Sequence, residues 1–522
     1  MSVQPSNVDI GLRLRLRGAR LIEASAGTGK TFTLATLVLR LLLERGASMS
    51  QMLVVTFTRA ATQELRHRLR ARLRLARRLL ETPEALPQGE AAITAAVLRA
   101  AIERDGESVV RQRIEAALLQ LDEATVSTIH GFCHRALREF GFRAGLLAEL
   151  AVIDDAADVW REVADELWRA AANTADAQSG ERHALLAALW QTPEALAEDL
   201  PALCDPLRIA YPQRQESDAA TALHALRDAA MLRFETMMSR RGESSQDQLI
   251  ERIWRASETP EFAVAMAERW PLMLIDEFQD TDPRQWDIFR RMYAAGDAEQ
   301  RWMCLIGDPK QAIYRFRGGD LATYLRARAY VIEQVAAEGP DDSAQAIARL
   351  DANYRSTPSV LGAIETVFAA NPLPFVDATI DFHPLSAAGP ARDGDLGISR
   401  HASPGMTLHW LPAPPPDPGA SSRSAAARGI RTKDQEFALM REAAVQTIAN
   451  LLANGRLRAV GGERALRPAD IAVLTDTNDQ AAAMQRALVR IGIAAATASG
   501  ASGLAGESAE DMHVLQGRLS EP

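Results

Sequence analysis

The chain has 522 residues, enough for two or three domains. Its 47% hydrophobic and 24% charged content is ordinary for a soluble globular protein and excludes a disordered or collagen-like chain. A net charge of −9 excludes a generally basic surface, so any nucleic-acid surface must be local.

No apolar run approaches the ~18 residues of a membrane span, and Met1 to Arg20 has no signal-peptide core. Cys133, Cys204 and Cys304 are widely separated and form no C-x-x-C pair. That suits a reducing cytosol and argues against disulfides or structural zinc. A cytoplasmic protein without membrane contact is expected.

Ala19 to Glu23 reads as a strand, and Phe32 to Leu43 as a mostly apolar helix. Between them lies Ala24-Ser25-Ala26-Gly27-Thr28-Gly29-Lys30-Thr31, of the form [A/G]-x-x-x-x-G-K-[S/T]. Small residues let backbone N–H groups converge on phosphates, and the helix that follows adds its positive N-terminus. Lys30 would reach the phosphates and Thr31 would place its hydroxyl on Mg²⁺. The competing reading is a glycine turn before a buried helix. Lysine usage argues for the first: Lys30, Lys310 and Lys433 are the only lysines in the chain, and two of them sit in motifs. A phosphate loop needs a compact charge on a flexible stem, which arginine supplies poorly.

Met52 to Phe57 reads as a buried strand, and Ala60 to Leu80 as a long helix. The helix carries Arg66, Arg68, Arg70, Arg72, Arg74, Arg77 and Arg78. Either it is a solvated face or a phosphate-facing stripe. At the junction, Thr58 and Arg59 suit phosphate contacts and Phe57 could stack on a base. Phe57 is equally readable as a core aromatic. Ala124 to His130 repeats the design, with Thr128 and His130 at a strand end where open α/β sheets bind ligands. A lone histidine there also fits a structural or capping role.

Residues from about 145 to 265 read as mostly helical, with Trp160, Trp168, Trp190, Trp254 and Trp270 as the core of an inserted helical domain. Strands return at Leu272 to Ile275 and Trp302 to Ile306. The first ends in Asp276-Glu277, a pair suited to hold Mg²⁺ and to activate water, respectively. The second opens a segment in which Gln311 could sense a γ-phosphate. There Tyr314 and Phe316 alternate with Arg315 and Arg317, as in a single-strand stacking platform. Arg355 offers a charge neutraliser from a second domain, or an ordinary helix-start salt bridge. Helix dominates from about 320 to 370. A Pro- and Ala/Ser/Arg-rich linker follows, and helices near 434 to 454 and 479 to 491 flank a strand at Ile471 to Leu474. Alternating strands and helices predict an α/β fold with parallel sheets covered on both faces.

In their order, these motifs resemble superfamily 1A DNA helicases of the UvrD/Rep type, and the RecB branch in particular. The resemblance spans most of residues 20 to 365, with a weaker echo at Pro468 to Gly492. It implies RecA-like P-loop NTPase domains with parallel sheets, a mostly helical insertion and an incomplete second RecA-like domain. The implied parts are residues 1–145 and 263–335 for the first domain, 146–262 for the insertion, and 336–522 for the second domain with a flexible linker at about 385–432. It assigns ATP and Mg²⁺ to Lys30, Thr31, Asp276, Glu277, Gln311 and Arg355. It assigns DNA to Phe57, Thr58, Thr128, His130, Tyr314 and Phe316, with Arg59 beside them. It implies 3′→5′ movement on single-stranded DNA, action at duplex ends, and partners like RecC and RecD. The family's T-x-H-x-[S/A]-K-G-x-E segment, its second ATP-site arginine and the RecB-type nuclease domain have no counterpart here. The chain therefore reads as the N-terminal portion of a longer protein, whether fragment, split gene or degenerate copy. An AddA- or UvrD-like repair helicase and a non-motor ATP- and DNA-binding scaffold are the alternatives.

Overall fold

A computed structural model describes residues 7–82, 89–144, 151–153, 155–173, 186–205, 218–313, 319–339, 346–375, 377–398, 401–402, 404–415, 430–459 and 462–497. Tyr314 and Phe316 lie outside the described residues, as does most of the Ala/Ser/Arg-rich part of the expected linker. The chain divides into two compact units. The first comprises residues 1–353 and 375–383, and the second residues 354–374 and 384–522.

The strands of the first unit are β1 (Gly18–Ala24), β2 (Met52–Thr56), β3 (Thr125–Thr128), β4 (Ala151–Ile153), β5 (Glu243–Ser245), β6 (Leu272–Ile275), β7 (Trp302–Gly307) and β8 (Ile347–Leu350). Six of them form one sheet in the order β3-β2-β6-β7-β1-β8. Every neighbouring pair in it is parallel. The apolar runs dictate this, since a strand buried on both faces has no polar side to offer water. Successive residues then separate by face. Ile22, Val54, Leu274 and Cys304 join one core with the helix Lys30–Glu44. Leu21, Val55, Met273 and Leu305 join the other, with Phe132, Trp270 and Phe289.

The expectation of parallel sheets covered by helices holds. β8 was not expected, and it carries the first unit to Asn353, past residue 335 where the sequence reading ended that domain. It is an edge strand, only partly buried, and Arg349 within it pairs with Glu23 of β1 at 2.8 Å.

A separate apolar cluster lies among the helices Ala157–Asn173, Pro193–Cys204 and Asp218–Arg241. Trp160 stacks on Phe234 there, with ring centroids 4.1 Å apart. Trp168 and Trp190 pack on the same cluster. Trp254 and Trp270 do not, contrary to expectation. They belong to the sheet's core, where Trp270 Nε1 donates to Thr125 Oγ1 of β3 at 2.8 Å.

The arginine-rich helix runs Arg59–Glu81. Arg66 donates to the Val126 carbonyl at 2.7 Å, and Arg70 pairs with Asp122 at 3.0 Å. Arg72 is buried, paired with Glu90 at 2.7 Å and lying over the Phe32 ring at 4.5 Å. Arg66, Arg70 and Arg72 anchor the helix to its neighbours, while Arg68, Arg74, Arg77 and Arg78 are exposed.

In the second unit the helices Pro358–Ala369, Lys433–Asn454 and Asn478–Arg490 accompany an antiparallel four-stranded sheet. The strand expected at Ile471 to Leu474 does not form, and Leu474 is 96% exposed. Its apolar run has no paired strand among the described residues.

Candidate nucleotide site

In a parallel sheet all carboxyl ends lie along one edge. That edge here gathers the loop after β1, Phe57 to Arg59 after β2, Ile129 and His130 after β3, Asp276 and Glu277 after β6, and Asp308 to Gln311 after β7. Sequence stretches 247 residues apart are thus brought side by side, as Lys30 and Glu277 show below.

The loop after β1 needs glycine. Gly27 and Gly29 have φ of 80° and 87°, in the left-handed region that side chains rarely adopt. Gly29 is the N-cap of the helix Lys30–Glu44, and no side chain caps that end. The first N–H groups of the helix therefore face the loop without an internal acceptor, the arrangement that receives an anion. The loop is braced from inside. Thr28 Oγ1 donates to the Ser25 carbonyl at 2.7 Å. Asn353 Nδ2, at the far end of the unit's sequence, donates to the Ala26 carbonyl at 2.8 Å.

Lys30 Nζ lies 2.7 Å from both Glu277 carboxylate oxygens. Glu277 itself has φ 50° and ψ 43°, a left-handed backbone for a non-glycine residue. Such a conformation costs of order 1–3 kcal/mol and persists where the surroundings fix it. Asp276 is held by its backbone N–H, which donates to the Val55 carbonyl at 2.8 Å. Its Oδ1 accepts from the Glu277 N–H at 3.0 Å.

Lys30 pairs with Glu277 and acts through its charge on two further carboxyls, Asp276 and Asp280. Burial, then the Glu277 charge, push Asp276 up to about 6. The same two causes push Asp280 up to about 7, against the pull of Lys30. A divalent cation would favour the ionised forms of both. Among the described residues no group of three or more His, Cys, Asp or Glu could hold a metal. The lone Asp276 carboxylate would suit a Mg²⁺ that takes its remaining oxygens from phosphate and water, the usual mode for that ion.

After β7, Asp308 is buried and binds Lys310 at 2.7 Å and Gln311 Nε2 at 2.8 Å. Burial raises its carboxyl, but these partners outweigh that and hold it below the usual value. Gln279 and Asn353, which touch Glu277 and the phosphate loop, went unread in the sequence. Only the short spacing of Gln279 from Glu277 pointed to it.

Phe57 and His130 are half-buried, and Thr58 and Arg59 are exposed. Thr58 and Thr128 are N-caps: Thr58 Oγ1 accepts from the Ala61 N–H at 3.0 Å and Thr128 Oγ1 from the Gly131 N–H at 3.3 Å. Arg355 belongs to the second unit.

The family model for the UvrD/REP helicase N-terminal domain matches residues 11–331. The chain is 32% identical over 510 residues to the RecBCD enzyme subunit RecB of Mycolicibacterium smegmatis, covering 96% of this chain and 42% of that protein. It is 30% identical to the Escherichia coli K12 protein of the same name, covering 92% and 48%. The Mycobacterium tuberculosis H37Rv protein is 32% identical, with 96% and 42% covered. The chain spans less than half the length of these relatives. Among the described residues no helix is long and apolar enough to cross a membrane.

Proposed function

Since the chain belongs to the UvrD/Rep helicase family, we propose that it carries the motor portion of a RecB-like, ATP-dependent 3′→5′ DNA translocase and helicase. The observation that carries this is the pairing of Lys30 with Glu277 at the carboxyl edge of a parallel sheet. ATP phosphates would lie in the loop Ala24 to Thr31, drawing Lys30 away from Glu277. Asp276 and Thr31 would hold Mg²⁺, which supplies charge neutralisation at the transferred phosphoryl group. Glu277 would then orient the attacking water and take its proton. Gln311, already placed beside Lys310 by Asp308, would report on the γ-phosphate.

Single-stranded DNA would run along the same edge, over Phe57, Thr58, Arg59, Thr128 and His130, and the family resemblance adds Tyr314 and Phe316 as stacking residues. The names of its relatives, each a subunit of a RecBCD enzyme, support a place in a multi-subunit enzyme with RecC- and RecD-like partners. Action at duplex ends in double-strand break repair is what the family resemblance adds.

The test is ATP hydrolysis by the purified chain with and without single-stranded DNA, beside Glu277→Gln. DNA should stimulate turnover, and Glu277→Gln should lower it by ~10²–10⁴ while nucleotide still binds. Binding of both ligands without turnover in the parent chain would favour a scaffold role instead.

A further inference from the structure

Gln279 lies inside the site, yet phosphate and metal binding give it no task. It is 3% exposed. Its carboxamide reaches three groups from two loops. Nε2 donates to Glu277 Oε2 at 2.9 Å and to Asp280 Oδ2 at 3.3 Å. Oε1 accepts from the backbone N–H of Asp308 at 3.0 Å. Chemistry leaves one orientation. A flipped amide would set its oxygen against two carboxylates and its NH₂ against an N–H.

Gly307 makes the room for it. A Cβ at Gly307 would stand 2.8 Å from Gln279 Oε1 and 3.2 Å from the backbone nitrogens of Phe278 and Gln279. The next residue, Asp308, holds both Lys310 and Gln311. One carboxamide thus joins the Glu277 side chain to the main chain of the loop that carries them. Glu277 needs such a tie, because its left-handed backbone is not a conformation the main chain favours by itself.

We propose that Gln279 is a positioning residue, holding the Glu277 carboxylate and coupling its placement to the loop 308–311. This rests on the reading of Glu277 as the base of ATP hydrolysis. A shift of that loop, as when Gln311 meets or loses a phosphate, is transmitted to the base through the Asp308 N–H and the amide.

Gln279→Glu tests it. The variant keeps the shape and the acceptor for the Asp308 N–H, but loses the donor to Glu277 and adds a carboxylate beside it. Turnover should fall ~10–100-fold at pH 7, the equivalent of one hydrogen bond to a charged group. KM for ATP should stay within about threefold. Gly307→Ala, which displaces the amide without changing its chemistry, should also lower kcat while KM for ATP stays in the same range.

A second readout needs no turnover. In the nucleotide-free chain at pH 8, Gln279→Glu should lower the melting temperature, since the new carboxylate faces both Glu277 and Asp280. The part due to Glu277 should vanish when Glu277→Gln is also present, leaving a smaller loss. Equal losses in both backgrounds would make Gln279 a packing residue and overturn the proposal. A parent chain without turnover would count against the base assignment, and the melting cycle would still decide whether the pair is coupled.

Discussion

At the scale of single residues the site is built from charges held at a cost. Asp280 is the clearest case. Its Oδ1 is buried without a hydrogen-bond partner. Burial and the Glu277 charge push its carboxyl up to about 7. The folded state therefore keeps a proton that the unfolded state releases in the ordinary carboxylate range, near 4. Stability from this group is largest at low pH and falls as pH rises from there to about 7. Asp280→Asn should remove that penalty. Its melting temperature should exceed the parent's by roughly 1–3 °C at pH 8, with a smaller gain at pH 5. A lower melting temperature at pH 8 would show that the carboxylate's hydrogen bond from Gln279 outweighs its desolvation. The sequence disclosed Lys30, Asp276 and Glu277 because their chemistry follows a fixed spacing. It did not disclose Asn353, whose tie to Ala26 joins segments hundreds of positions apart and leaves no local trace.

At the scale of elements, two helices begin with a threonine whose role the sequence left open. The family resemblance assigns Thr58 and Thr128 to DNA, and each caps its own helix through its hydroxyl. Capping and phosphate binding are compatible, since a hydroxyl accepts in one bond and donates in another. Thr58→Asp separates them. Aspartate caps as well as threonine and suits the positive helix end, so the melting temperature should hold. A carboxylate facing phosphate should repel it. Single-strand affinity should therefore fall, and fall further as salt is lowered. Unchanged affinity at low salt would leave Thr58 a cap alone. Elements with continuous apolar runs were legible to within a few residues, as the strands Met52–Thr56 and Leu272–Ile275 show. β8 was not, because an edge strand carrying Arg349 has no such run. Ile471 to Leu474 has the run but not the partner strand, and burial needs both.

At the scale of the whole molecule, the chemistry is divided by a boundary in the chain. The phosphate loop, the acidic pair and Gln311 all belong to the first unit, whose main body ends at Asn353. Asn353 grips the loop through Ala26, and Arg355 belongs to the second unit. The resemblance to the helicase family proposes Arg355 as the cation that neutralises charge in the transition state. Arg355→Ala should then lower turnover by ~10³–10⁵, the usual effect of losing an arginine finger, with nucleotide affinity changed far less. Arg355→Lys should recover only part of the loss, because a point charge cannot reproduce the planar fork of the guanidinium. If Arg355→Ala instead hydrolyses ATP at the parent's rate, the neutralising cation is elsewhere. The turnover chemistry would then lie within the first unit, with Lys30 and Lys310 as the cations beside its carboxylates.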